Sequence, residues 1–101
     1  MSVQLSSRDE GDYQLSGELT FDTVTSLYQR SDEIVAVNKL IDIDLRDVSR
    51  VDSAGLVLLV EWVRRATLQD QRLQFTGMSA QLEALVRING LQDVIVSGGD
   101  H

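Results

Sequence analysis

The chain has no cysteine and no proline, a single histidine at its last position, and no apolar run longer than Leu56 to Val60. Each absence excludes something. Without cysteine there is no disulfide, no thiolate nucleophile and no thiolate metal site. The apolar run is far short of the ~20 residues that a bilayer-spanning helix requires. Met1-Ser2-Val3-Gln4-Leu5 lacks the basic stretch and apolar core of a secretory signal, so the expectation is a cytoplasmic chain with no direct membrane insertion. A serine nucleophile needs an adjacent base, and His101 stands at the chain end. No G-x-x-x-x-G-K-[ST] phosphate loop is present, so intrinsic nucleotide hydrolysis has no support. These residues give an enzymatic reading little support.

Positive charge is also scarce. Nine Lys and Arg face sixteen Asp and Glu, for a net charge of −7. Such a field repels phosphate backbones, and Arg64-Arg65 is the longest basic run, so nucleic acid is not an expected partner. A basic or mixed-charge protein fits better. Asp42, Asp44, Asp47 and Asp52 invite a metal reading, but no His or Glu joins them at ligand spacing, and a hard cation takes six or more oxygens. Neither a metal nor a cofactor is expected. Side chains that bond local backbone account for these acids more simply.

What is present suits one domain over residues 1–101, with 43% hydrophobic and 25% charged residues. Val3 to Ser6 and Tyr13 to Ser16 alternate as half-buried strands, separated by a charged turn with Gly11, and Gly17 ends the pair. Thr20 or Asp22 caps a first helix, on which Phe21, Val24, Leu27, Tyr28, Ile34 and Val35 recur, and Asn38 stops it. Leu40 to Leu45 is a strand and Arg46 to Val51 a turn. A second helix runs from Ser53 to Leu68. Arg72 to Phe75 is a strand ended by Gly77. Ser79 caps a third helix with Leu82, Leu85, Val86 and Ile88 inward and Asn89-Gly90 as its stop. Leu91 to Val96 adds a short helix or an edge strand. The fold class is α/β with α+β character: a mixed four- to five-stranded sheet, an N-terminal antiparallel hairpin, and β-β-α-β-α-β-α order.

The start of the second helix carries most of the functional information. Ser53 stands where a cap is expected, between Asp52 and the small pair Ala54-Gly55. Gly55 in a first turn costs about 1 kcal/mol relative to Ala, which suggests close approach of another chain. At 100° per residue, Leu56, Leu59, Val60 and Val63 face inward with Ala66 at the margin. Ser53, Val57, Glu61 and Arg64 form an outward stripe, with Arg65 on the same side. An apolar Val57 among polar neighbours suits a docking surface.

Val51-Asp52-Ser53-Ala54-Gly55-Leu56, following a strand and opening an apolar helix, resembles the signature of the STAS family of anti-sigma-factor antagonists and related modules. In phosphorylated members the residue matching Ser53 accepts the phosphate, with acids matching Asp44 and Asp52 nearby. Within the family, Leu15-Ser16-Gly17-Glu18-Leu19 and Leu58-Leu59-Val60-Glu61-Trp62 are similar to the STAS subunits of Mla-type phospholipid ABC transporters, which maintain outer-membrane lipid asymmetry. That resemblance implies a non-catalytic subunit that binds the transporter ATPase and lies against the inner membrane through it. It also implies a contact built from Asp52, Ser53, Ala54, Gly55, Leu56, Val57, Glu61 and Arg64, with Tyr28 on the first helix. The alternative is an anti-sigma factor antagonist that binds an anti-sigma factor kinase and is switched at Ser53. Ala54 and Val57 depart from that switch pattern, which carries Ser and Gly at those places.

Overall fold

The alternating N-terminal segments fold back on each other as a hairpin, β1 (Val3–Asp9) and β2 (Asp12–Leu19), with Gly11 at positive φ in the turn. Leu5 faces Leu15 across the pair, and both are buried. In this computed structural model, residues 3–35 and 40–95 are described. After β2 come α1 (Val24–Gln29), α2 (Ser31–Val35), β3 (Leu40–Val51), α3 (Ser53–Leu68), β4 (Arg72–Thr76) and α4 (Ala80–Ile88). The strands lie in the order β1-β2-β3-β4, and both β2–β3 and β3–β4 run parallel. Helical connections between parallel neighbours are the reason, since such pairs need a crossover. Helices α1, α2 and α4 all pack against α3, which lies on β3 and β4.

The core forms where these layers meet. Leu15, Leu19, Ile41, Ile43, Leu45 and Phe75 from the sheet are sealed against Leu58, Leu59 and Trp62 of α3. Each such burial is worth about 1.5–3 kcal/mol. The Trp62 indole N–H donates to the Ser31 hydroxyl at 2.7 Å, and that hydroxyl donates to the Leu27 carbonyl at 3.0 Å. The largest side chain in the core therefore leaves no orphan donor.

The structure departs from the sequence expectations at several places. Arg46 to Val51 is not a turn but the second half of β3. The segment lacks strict alternation because the β2–β3 register shifts twice, between Gln14 and Ser16 and between Gly17 and Glu18. Each shift lets an extra residue of β3 bulge without ending the pairing. Gly17 (φ 96°) sits at one of them and so lies inside β2 rather than ending it. The expected single first helix is two short ones meeting at Arg30. The Ser31 hydroxyl bonds back to Leu27, four residues earlier, a contact that bends helices. Neither Thr20 nor Asp22 caps α1; its N-cap is Thr23, whose side chain makes no cap bond. Asn38 lies outside the described residues. Ile88 is exposed rather than inward, and Leu91 to Ile95 form turns rather than a helix or strand.

Candidate functional site

The N-cap of α3 is Asp52, not Ser53. Its extended backbone points the side chain over the first turn, where Oδ1 accepts from the Ala54 and Gly55 N–H groups at 2.9 and 3.1 Å. The second oxygen does something a cap need not do. Oδ2 accepts from the Phe21 N–H at 3.0 Å, across 31 residues of sequence. Burial alone would raise the Asp52 carboxyl, but the N–H groups of Phe21, Gly55 and Ala54 and the charge of Arg50 outweigh it and hold it below its ordinary value.

With Asp52 as cap, Ser53 becomes the first helical residue. It is exposed, and its hydroxyl has no hydrogen-bond partner among the described residues. Val57, one turn on, is 57% exposed. Half-buried Ala54 lies between them.

Gly55 and Leu56 do not belong to this surface, contrary to expectation: both are buried. A Cβ at Gly55 would collide with the carbonyl oxygen and Cγ of Leu19. The close approach that requires glycine thus comes from the end of β2 in the same chain. The Asp52 N–H donates to that same Leu19 carbonyl at 3.2 Å. Val60 and Val63, expected inward, are only half-buried, and with Leu68, Leu73 and Val94 they line an open groove of about 650 Å³ between α3 and β4.

The lower part of the outward stripe is an ion-pair cluster. Glu61 accepts from Arg64 at 2.7 and 2.8 Å and from Arg65 at 2.8 Å, and Arg65 also reaches Asp32 at 3.2 Å. The two guanidiniums hold the Glu61 carboxyl down at about 2. This half of the stripe satisfies itself, whereas the half near Ser53 does not. Tyr28, expected in the contact, is half-buried and packed against the core.

Asp44 stands apart from Ser53. In the sheet it pairs with Gln14, while Val51, next to the helix start, pairs with Leu19. Five residues of β2 separate those positions, roughly 17 Å. Asp44 is buried, accepting from Arg8 at 3.0 Å and from the Arg46 N–H at 2.8 Å. Burial would raise its carboxyl, but the Arg46 N–H and Arg8 more than compensate and lower it. Among the described residues no group of three or more acids or histidines is placed to hold a metal, and no helix is long and apolar enough to cross a membrane.

Phe21 stands beside the start of α3 although no expected contact includes it. It falls in the apolar spacing of the first helical segment, yet it precedes α1 and is 77% exposed. The turn that carries it is fixed at every step. The Thr20 N–H donates to the Thr23 hydroxyl at 3.0 Å, that hydroxyl donates to the Glu18 carbonyl at 2.7 Å, and the Thr23 N–H donates to the Thr20 carbonyl at 2.9 Å. The signal was the run Thr20-Phe21-Asp22-Thr23 itself, where polar turn formers flank one aromatic.

Comparison with known proteins follows the same lines. The family model described as "Mlab, STAS domain" matches residues 4–97. The intermembrane phospholipid transport system binding protein MlaB of Escherichia coli (strain K12) is 36% identical over 92 residues, covering 90% of this chain and 93% of that protein. Among solved structures, the Bacillus cell fate determinant SpoIIAA in its phosphorylated form superposes with a TM-score of 0.71 at 17% identity, covering 97% of this chain and 92% of that one. The unphosphorylated form of the anti-sigma factor antagonist SpoIIAA gives 0.68 at 17% identity, over 85% and 82%. At that identity the likeness concerns the fold.

Proposed function

The chain belongs to the MlaB STAS family, and from that premise we propose that it is the non-catalytic STAS subunit of an intermembrane phospholipid transport system, binding the transporter's ATPase through the Ser53 end of α3. It works in the cytoplasm, held at the inner membrane by that partner. The free Ser53 hydroxyl carries the reading. A serine relieved of capping, exposed at a helix start and flanked by exposed Val57, is a group placed to meet another surface. Asp52 beside it is no base for chemistry, because its carboxylate already accepts three backbone N–H groups. The 36% identity to MlaB across nine-tenths of the chain supports the assignment to a phospholipid transport system.

The test is co-purification of the tagged chain with the ATPase subunit from its native cells. Ser53→Arg should abolish capture while leaving the circular dichroism spectrum and the unfolding midpoint in place. Full capture by that variant would overturn the docking site.

The exposed hydroxyl also keeps the phosphoswitch in view. A phosphate on Ser53 would add about −1.5 to −2 charge beside the fixed Asp52 carboxylate, on a chain already at −7. Intact-mass measurement across growth conditions decides between the two: a phosphate at Ser53 that releases the bound protein favours the switch.

A further inference from the structure

We infer that Phe21 is the anchor of the Ser53 docking surface, and that Asp52 is the positioning residue that builds this surface by joining the Phe21 turn to the start of α3. The inference rests on the proposed ATPase contact and specifies its chemistry.

An aromatic ring that is 77% exposed has no folding role to offset its contact with water. The backbone that carries it is fixed. Its N–H is held by Asp52, and the turn around it is closed by the Thr20 and Thr23 bonds. Leu19, just before the turn, is locked between the Asp52 N–H and the α-carbon of Gly55. The turn beneath the ring is therefore ordered before any partner arrives. An exposed aromatic with only two side-chain torsions, carried on an ordered backbone, loses little freedom on association, and such residues often carry a large share of binding energy.

The same carboxylate that caps α3 sets where this ring stands. One oxygen orders the turn that bears Ser53, and the other orders the turn that bears Phe21. Phe21 and Ser53 thus belong to one unit. Asp22 follows the ring in sequence, is itself exposed, and adds negative charge at its edge, on a chain of net charge −7. The complementary face of the ATPase subunit is an apolar recess sized for a phenyl ring and rimmed by basic side chains.

The experiment is a double-mutant cycle on ATPase affinity, using Phe21→Ala, Asp52→Asn and the pair. Asparagine is as good an N-cap as aspartate, so the helix keeps its cap. Its amide presents a donor toward the Phe21 N–H where the second carboxylate oxygen had accepted. Phe21→Ala should weaken binding about thirtyfold, in the range of an aromatic hot spot. Asp52→Asn should weaken it about tenfold, and the double variant no more than Phe21→Ala alone, because both act on one ring. Hydrogen exchange on the isolated protein reads the clamp without the partner. The Phe21 amide should exchange at least about tenfold faster in Asp52→Asn, with Leu58 to Trp62 unchanged. Wild-type binding with an unaffected Phe21→Ala overturns the anchor alone. Additive effects in the cycle, or an unaltered Phe21 amide, overturn the role of Asp52. A wild-type chain that does not bind the ATPase overturns the functional reading and the anchor with it.

Discussion

Helices α3 and α4 each begin beside a serine, and the two serines have opposite fates. Ser79 is the N-cap of α4, and its hydroxyl accepts from the Leu82 N–H at 3.1 Å. That bond joins neighbours and serves only its own helix. Ser53 is displaced from the cap by Asp52, which serves α3 and reaches Phe21 as well. A one-residue difference in which side chain caps turns a local closure into a tertiary one and frees a hydroxyl. Identical residue types at helix starts therefore do not imply identical roles; the neighbour that takes the capping position decides.

Four substitutions and one titration would break or sharpen that contrast, read as unfolding free energies by chemical denaturation. Gly55→Ala should have the largest effect. Helix propensity favours alanine by about 1 kcal/mol, but the new methyl meets the Leu19 carbonyl, and overpacking against backbone that cannot swing away lies at the upper end of the usual range, about 3 kcal/mol. A net loss of about 2 kcal/mol is expected, and a stabilised variant would show that the β2–α3 contact is loose. Asp52→Ala removes a cap and a link to Phe21, for a loss of about 1–2 kcal/mol. Ser79→Ala removes a cap alone, for about 1 kcal/mol. Ser53→Ala should change stability by less than about 0.5 kcal/mol, the usual range for an exposed site that supports nothing else. Equal losses at Ser53 and Ser79 would erase the distinction between the two helix starts.

The titration follows from sign. The folded Asp52 carboxyl lies below its ordinary value of 3.8. Its contribution to stability is therefore complete above that value and is lost as pH falls through and below it. Asp44 is shifted the same way. Stability measured between pH 6 and pH 3 should fall for the wild type and fall less for Asp52→Asn. Matching slopes would mean that the clamp does not favour the charged carboxylate.

Much of this architecture is legible in the sequence. The hairpin, the α3 boundaries, the Ser79 cap and the parallel strands all follow from alternation, periodicity and capping residues. Local patterns fail where tertiary bonds override them. The second half of β3 has no clean alternation because bulges absorb its extra residues. Phe21 fits a helical period but lies in a turn held from outside by Asp52. Gly55 marks a close approach, but the segment that approaches is not another chain: it is Leu19, 36 positions earlier in this one. Each of these three concerns a bond between distant segments, which no local window contains.

The hydrogen bond between Trp62 and Ser31 has a practical consequence. Trp62 is the only tryptophan, fully buried, with its indole tied to α2. Its fluorescence is a gauge of the α2–α3 seam, with emission at short wavelength while the seam is closed and a red shift once water enters. Because the indole is sealed beneath α3 rather than at the Ser53 end, an assembly that only covers the outer surface should leave the emission unmoved. A shift on mixing with the proposed ATPase partner would then mean that such docking pries the interior apart as well.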